Sequence, residues 1–215
     1  MGFGLSLKSN GVGFIAMHGK AIEHSFAQRL LMLDVVTVKH QREVKIVNQG
    51  AQNPSAYVFG KLYHTMFARM GYGYGKSLIH RSASNKLGVE VMTLIGPTVS
   101  LRRPVYLDVM SFRINDQVAI IHSERYNPEI HTNQNNIVGY SRRSKGWKAI
   151  NYTAGIGFRP AVNFYWGNYN QTFKQVHLGA MIDYFPSGLE IMAYGENPNV
   201  YFSPYLSFLW SFNRH

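Results

Sequence analysis

The sequence predicts an all-β fold, a closed antiparallel transmembrane β-barrel of eight strands, or ten. Three observations predict it. First, the chain ends on a strand whose two faces differ in kind: Leu206, Phe208, Trp210 and Phe212 fall on one side, Tyr205, Ser207, Leu209 and Ser211 on the other, because side chains alternate across a strand with period two. Second, the 215 residues include 20 Gly, 14 Tyr, 13 Phe and 3 Trp, and only 15% are charged, against about a quarter in ordinary soluble domains. Third, apolar residues make up 46% of the chain without any run long enough for a membrane-spanning helix, which needs about 18. Any membrane crossing must therefore use strands, each about ten residues with one apolar face.

From the N-terminus, Gly2 to Leu7 and Val12 to Met17 flank the turn signal Ser9-Asn-Gly11, a hairpin pattern. Ile22 to Met32 admits a short helix, and Leu30 to Val38 is β-rich, with Leu31, Leu33 and Val35 opposite Asp34. Val44 to Val47 extends that strand, and Asn48 to Ser55 is a loop. Ala56 to Tyr74 reads as one long strand carrying Tyr57, Phe59, Tyr63 and Phe67, and Gly71-Tyr-Gly-Tyr-Gly75 continues its aromatic texture. Ser77 to Lys86 is a polar loop. Leu87 to Leu107 alternates again, with a bulge or kink expected at Gly96-Pro97, since proline removes a ladder donor.

Residues 113–146, polar and rich in Asn, Arg and Ser, read as one long irregular surface loop. Ile150 to Arg159 and Gln175 to Tyr184 are the cleanest alternating strands; Phe185-Pro-Ser-Gly188 is a tight turn. A short strand near Leu189 to Ala193 and the terminal strand complete the count. No internal repeat or linker divides the chain, so residues 1–215 form a single barrel domain.

The polar faces decide between a soluble ligand-binding barrel and a membrane barrel. A soluble exterior is dense in Lys and Glu, whereas a narrow lumen takes small neutral residues and a few paired charges. Here the faces read Asn151, Thr153, Gly155, Gly157, Arg159 and Gln175, His177, Gly179, Asp183. That composition favours the membrane kind, with Leu206, Phe208, Trp210 and Phe212 facing lipid. Asp34, Glu90, Arg102, Arg159, His177 and Asp183 then form a network inside the lumen, because unpaired charges there are costly.

The net charge of +11 asks for an anionic neighbour. The basic residues are scattered and no zinc-finger, helix-turn-helix or RNA-recognition pattern accompanies them, which excludes nucleic acid as the expected partner. Membrane lipid, above all the phosphates of lipopolysaccharide, suits Arg81, Lys86, Arg142, Arg143, Lys145 and Lys148 on loops next to aromatic strands.

Absence of cysteine excludes disulfides and thiolate chemistry. The segment Ile121 to His131 holds two His and two Glu within eleven residues, without the helical spacing of a known metal motif. His64-Thr65, His80 with Ser77 and Ser82, and His122-Ser123 are the only conceivable nucleophile pairs, and no GxSxG elbow appears. Gly71 to Gly75 lacks the lysine spacing and following helix of a phosphate loop. No catalytic, cofactor-binding or metal residue is therefore expected, and no cofactor.

Leu33-Asp-Val-Val-Thr-Val-Lys-His-Gln-Arg-Glu-Val-Lys45, Tyr57-Val-Phe-Gly-Lys61, Gly96-Pro-Thr-Val-Ser-Leu-Arg-Arg-Pro-Val-Tyr106, Glu124-Arg-Tyr-Asn-Pro-Glu-Ile-His131 and Tyr205-Leu-Ser-Phe208 carry a resemblance over most of the chain. With them the sequence resembles the small, porin-like outer-membrane β-barrel proteins of the Bacteroidota. The resemblance implies a Gram-negative outer-membrane address and a signal peptide. Because Met1 to Lys8 is already strand-like, the leader is expected upstream of this start or removed. The resemblance brings no catalytic residue. The expected role is a non-enzymatic structural or accessory subunit of a complex with other outer-membrane proteins. The alternatives are a narrow transport or ligand-binding barrel and, third, a lipid-modifying enzyme.

Overall fold

The computed structural model describes residues 1–51, 54–79, 87–113, 118–142, 144–167 and 172–212. Among the described residues there are thirteen strands: β1 (Gly2–Lys8), β2 (Gly11–Ala21), β3 (Ala27–Val38), β4 (Lys45–Ile46), β5 (Tyr57–Val58), β6 (Tyr63–Ile79), β7 (Leu87–Pro104), β8 (Tyr106–Arg113), β9 (Val118–Arg125), β10 (Ile137–Tyr140), β11 (Asn151–Gly167), β12 (Thr172–Tyr184) and β13 (Val200–Phe212). Eight of them, β1, β2, β3, β6, β7, β11, β12 and β13, close an antiparallel barrel in which each strand pairs with its neighbours in that order. The first strand closes on the last, from Gly2↔Ser211 to Lys8↔Tyr205, which leaves no open edge to aggregate. Met1 N donates to the Phe212 carbonyl at 2.9 Å across the seam.

The meander gives the barrel two unlike ends. One, the terminal end, holds the start of β1, the end of β13 and the connections after β2, β6 and β11, of five, seven and four residues. The other, the capped end, holds the two-residue turn after β1 and the long connections 39–62, 105–150 and 185–199. These long connections fold back as a lid. Val36, Val38 and Phe67 of the barrel wall pack on Phe185, Leu189 and Ile191. Above them β8, β9 and β10 form a separate sheet, whose Leu107, Val109 and Ile137 pack with Tyr57, Val105 and Tyr126.

Several local expectations change. Residues 113–146 are not one irregular loop: β9 and β10 flank β8 within them. Their apolar partner Tyr57 is remote in sequence, so the local pattern hides the sheet. No helix covers Ile22 to Met32; Ser25 N–H bonds back to the Ile22 carbonyl in a turn, and Ala27 onward is strand. Val44 to Val47 does not extend β3, because Lys45 and Ile46 pair instead with Val58 and Tyr57. The long strand expected from Ala56 breaks at Gly60, whose φ of +80° suits glycine. Leu189 to Ala193 makes only an isolated bridge, Lys61↔Met192, since its apolar residues are drawn into the plug. At Gly96-Pro97 the register to β11 runs one-to-one through Gly157↔Gly96 and Ile156↔Pro97. The register shift of β7 lies elsewhere, opposite Ser77 and Ile79 of β6.

Candidate functional site

Alternation along the eight barrel strands sorts the wall into two surfaces. Outward residues include Phe3, Leu5 and Leu7 on β1, Phe14 on β2, Leu31, Leu33 and Val35 on β3, Tyr72 and Tyr74 on β6, Ile95 on β7, Phe158 on β11 and Leu178 on β12. On β13, Phe208, Trp210 and Phe212 are exposed and Leu206 is half-buried on the same side. Phe14 is 73% exposed, Tyr152 67% and Phe202 61%, values that a hydrated surface rarely tolerates over so large a continuous area. No Asp, Glu, Lys or Arg interrupts this belt among the described residues. Exposed Lys20, Arg29, Lys76 and Lys174 bound it at the terminal end, and half-buried Arg103 at the capped end.

The lumen is stratified. Next to the lid lies an ionic knot. Arg69 donates from Nη1 to Asp34 at 2.8 Å, and from Nε and Nη2 to the two oxygens of Asp183 at 2.9 and 2.7 Å. Lys8 forms a short ion pair with Asp34, and Thr98 donates to Asp183 at 3.0 Å. Arg159 lies beside the knot with Nε on the Tyr205 hydroxyl at 2.6 Å and its guanidinium 4.1 Å from that ring's centre. Toward the terminal end follows an apolar layer containing Met17, Leu30, Met32, Met92, Leu94 and Leu209.

Beyond that layer the lumen widens into a chamber of about 320 Å³ at the terminal end, with Glu90, Gln28, Asn163, Gln175 and Tyr165 in its wall. Gln28 Nε2 donates to Glu90 Oε1 at 2.5 Å and Asn163 Nδ2 to Oε2 at 3.2 Å. His177 is buried, with Nε2 2.9 Å from Gln175 Oε1.

The six residues expected to form one lumen network thus divide. Asp34 and Asp183 meet through Arg69. Arg159 lies beside them on a tyrosine, while Glu90 and His177 line or adjoin the chamber. Arg102 sits at the capped mouth, bonded to Thr153 Oγ1 at 2.9 Å and stacked 5.3 Å over Tyr63. Sequence reasoning missed Lys8 and Arg69. Lys8 shares its parity with inward Ser6, opposite Leu5 and Leu7, so its signal was present. Arg69 shares parity with Phe67 and Tyr63, whose aromatic character suggests an outward face.

Of the loop cations expected at a headgroup surface, Arg142, Lys145 and Lys148 are exposed at the capped end; Arg81, Lys86 and Arg143 lie outside the described residues, as do His80 and Ser82. Arg142, Lys145 and Lys148 join a basic and aromatic rim that sequence reasoning did not assemble. Arg103 stacks 5.0 Å over Trp147, and Arg125 donates to the Tyr63 hydroxyl at 2.9 Å.

In the segment Ile121 to His131, Glu124 Oε1 stands 2.8 Å from His131 Nε2 and 3.5 Å from His122 Nε2. His131 Nδ1 is taken by the Asn127 backbone at 2.9 Å. Among the described residues no three metal-type ligands converge. Ser111 Oγ is 3.4 Å from His122 Nδ1, a loose contact on an exposed sheet. In the lid, Lys61 pairs with Glu43 at 2.6 Å, and burial pushes its ammonium below the usual lysine value. Burial also pushes the Tyr126 and Tyr140 phenols up to about 12.

Comparison with protein-family models, with curated proteins and with solved structures finds no match to this chain. The functional reading therefore rests on geometry.

Proposed function

We propose that this protein is a Gram-negative outer-membrane β-barrel that serves as a non-conducting, non-enzymatic accessory module beside other outer-membrane proteins. The observation that carries the reading is the charge-free apolar belt around a polar, ionic lumen, the inversion of a soluble barrel. A membrane barrel has short periplasmic turns and longer extracellular loops. By that rule the terminal end faces the periplasm and the lid faces outward. Lys20, Arg29, Lys76 and Lys174 then reach the inner-leaflet phosphates. Arg103, Arg142, Lys145 and Lys148, with Trp147, meet the phosphates of lipopolysaccharide. The resemblance to small Bacteroidota barrels points to the same address.

The role as a module rather than a pore is supported by the filled lumen. The knot and the apolar layer occupy the bore, and Phe67, Phe185 and Ile191 stop its outer end. An eight-stranded lumen is just wide enough for side chains to fill. The test is electrophoresis of the detergent-purified protein with and without boiling, followed by planar-bilayer recording. A compact, fast-migrating unboiled band with no unitary current is expected. A protein that stays in solution without detergent refutes the membrane assignment, and discrete currents refute the closed lumen.

A further inference from the structure

At the terminal-end chamber a buried carboxylate of the lumen stands without a cation among the described residues. Asp34 has Lys8 and Arg69, and Asp183 has Arg69. Glu90, only 3% exposed, has no cation among the described residues; its two oxygens take only the neutral amides of Gln28 and Asn163. Those amides turn their N–H groups to the carboxyl oxygens. Asn163, also 3% exposed, is left with its Oδ1 buried and unpartnered among the described residues. A buried charge and a buried acceptor without donors are each costly. The carboxylate asks for a positively charged group with more than one N–H.

The rest of the chamber narrows the class. Its volume of about 320 Å³ admits a small organic molecule. Apolar and aromatic wall comes from Met17, Leu30 and the edge-to-face pair Tyr165–Phe173, whose ring centres are 6.4 Å apart. Aromatic faces near a carboxylate favour a flat or short cationic head. The lid and the ionic knot close the barrel behind it, so entry is from the terminal end alone among the described residues.

We infer that this chamber is a binding site for a small organic cation, an amine, amidine or guanidine, which pairs with Glu90. That the entry faces the periplasm rests on the membrane reading above; the preference for a cation does not, because it is measured on the purified protein.

The test uses benzamidine and its neutral isostere benzamide, titrated calorimetrically against the detergent-purified protein. Benzamidine is expected to bind at least about tenfold more tightly, since a charge-assisted pair exceeds a neutral one by at least about 1.4 kcal/mol. Glu90→Gln is expected to erase the difference while the unboiled band keeps its mobility. Equal binding of the two compounds, or a preference that survives in folded Glu90→Gln, overturns the site. Should that variant not fold, the native carboxylate can be probed directly, since the chain has no cysteine. Ser211→Cys places a thiol in the chamber wall and Ser187→Cys an exposed reference on the lid. A cationic methanethiosulfonate is expected to outpace its anionic analogue at position 211, relative to the ratio at 187, and benzamidine to slow it. Equal ratios at the two positions refute the proposal.

Discussion

Arg69→Met tests the ionic knot most directly. The substitution keeps the aliphatic stem but deletes a guanidinium that makes three contacts of 2.7–2.9 Å with two carboxylates. Asp34 retains Lys8. Asp183, fully buried, retains only the Thr98 hydroxyl among the described residues. The loss is that of one buried carboxylate stripped of its cation, about 3–5 kcal/mol, a large part of the roughly 5–15 kcal/mol that holds a domain folded. Adding Asp183→Asn removes the orphaned charge, so the double variant should recover about half or more of that loss. Asp183→Asn alone leaves Arg69 with Asp34 and should cost less than Arg69→Met. The assay is denaturant unfolding in detergent or lipid vesicles, followed by tryptophan fluorescence, with the three variants treated as a double-mutant cycle. Strict additivity, with the double variant as unstable as the sum of the singles, refutes the bridge.

Leu33→Arg, in the middle of the apolar belt, should destabilise the membrane-inserted barrel by about 2–4 kcal/mol; little change in vesicle unfolding would argue for a hydrated wall. Because Tyr126 and Tyr140 keep their protons up to about 12 in the folded lid, while unfolded tyrosine ionises near pH 10, their contribution is intact below about pH 10 and is lost as pH rises toward 12. Phenolate absorbance should therefore show a late-titrating fraction that Tyr126→Phe with Tyr140→Phe removes. Lys61 carries the opposite sign: its lowered value means that the folded lid binds fewer protons than the unfolded chain, so its penalty is relieved as pH rises toward 10.5. Glu43→Gln, which strands that ammonium, should loosen the lid by about 3 kcal/mol near neutral pH, read as faster amide exchange in β4 and β5.

The barrel was legible because its walls obey a period of two over long stretches. β3, β11, β12 and β13 alternate as their sequences do, and the outward placement of Phe208, Trp210 and Phe212 follows from parity alone. The lid was not legible for the reverse reason. Tyr57, Val105, Tyr126 and Ile137 meet only when the second of two long connections, 39–62 and 105–150, has come back to the same barrel end, and no local pattern encodes that meeting. Inside the lumen, parity named most inward charges but not their partners. Which carboxylate meets which cation depends on the stagger around the barrel, so Glu90 was grouped with Asp34 although an apolar layer separates them.

Stagger also explains where the lumen's glycines lie. A narrow bore can hold Arg159, Tyr205 and Glu90 only if facing positions give up their side chains. A Cβ on Gly157 would stand 2.7 Å from Thr98 Oγ1 and 3.0 Å from Asp183 Oδ1; one on Gly75 would stand 1.9 Å from Glu90 Oε1. The two sites differ in what can yield. Around Gly157 the neighbours are pinned by the knot, so Gly157→Ala should overpack it and destabilise the barrel by about 1–3 kcal/mol. At Gly75 the obstructing atom ends a flexible side chain at the edge of an open chamber. Gly75→Ala should therefore leave the unfolding midpoint nearly unchanged yet turn the Glu90 carboxylate away from Gln28, abolishing the preference for benzamidine over benzamide. A stable Gly75→Ala barrel that still discriminates between the two compounds would show that Glu90 does not hold the cation where its native geometry places it.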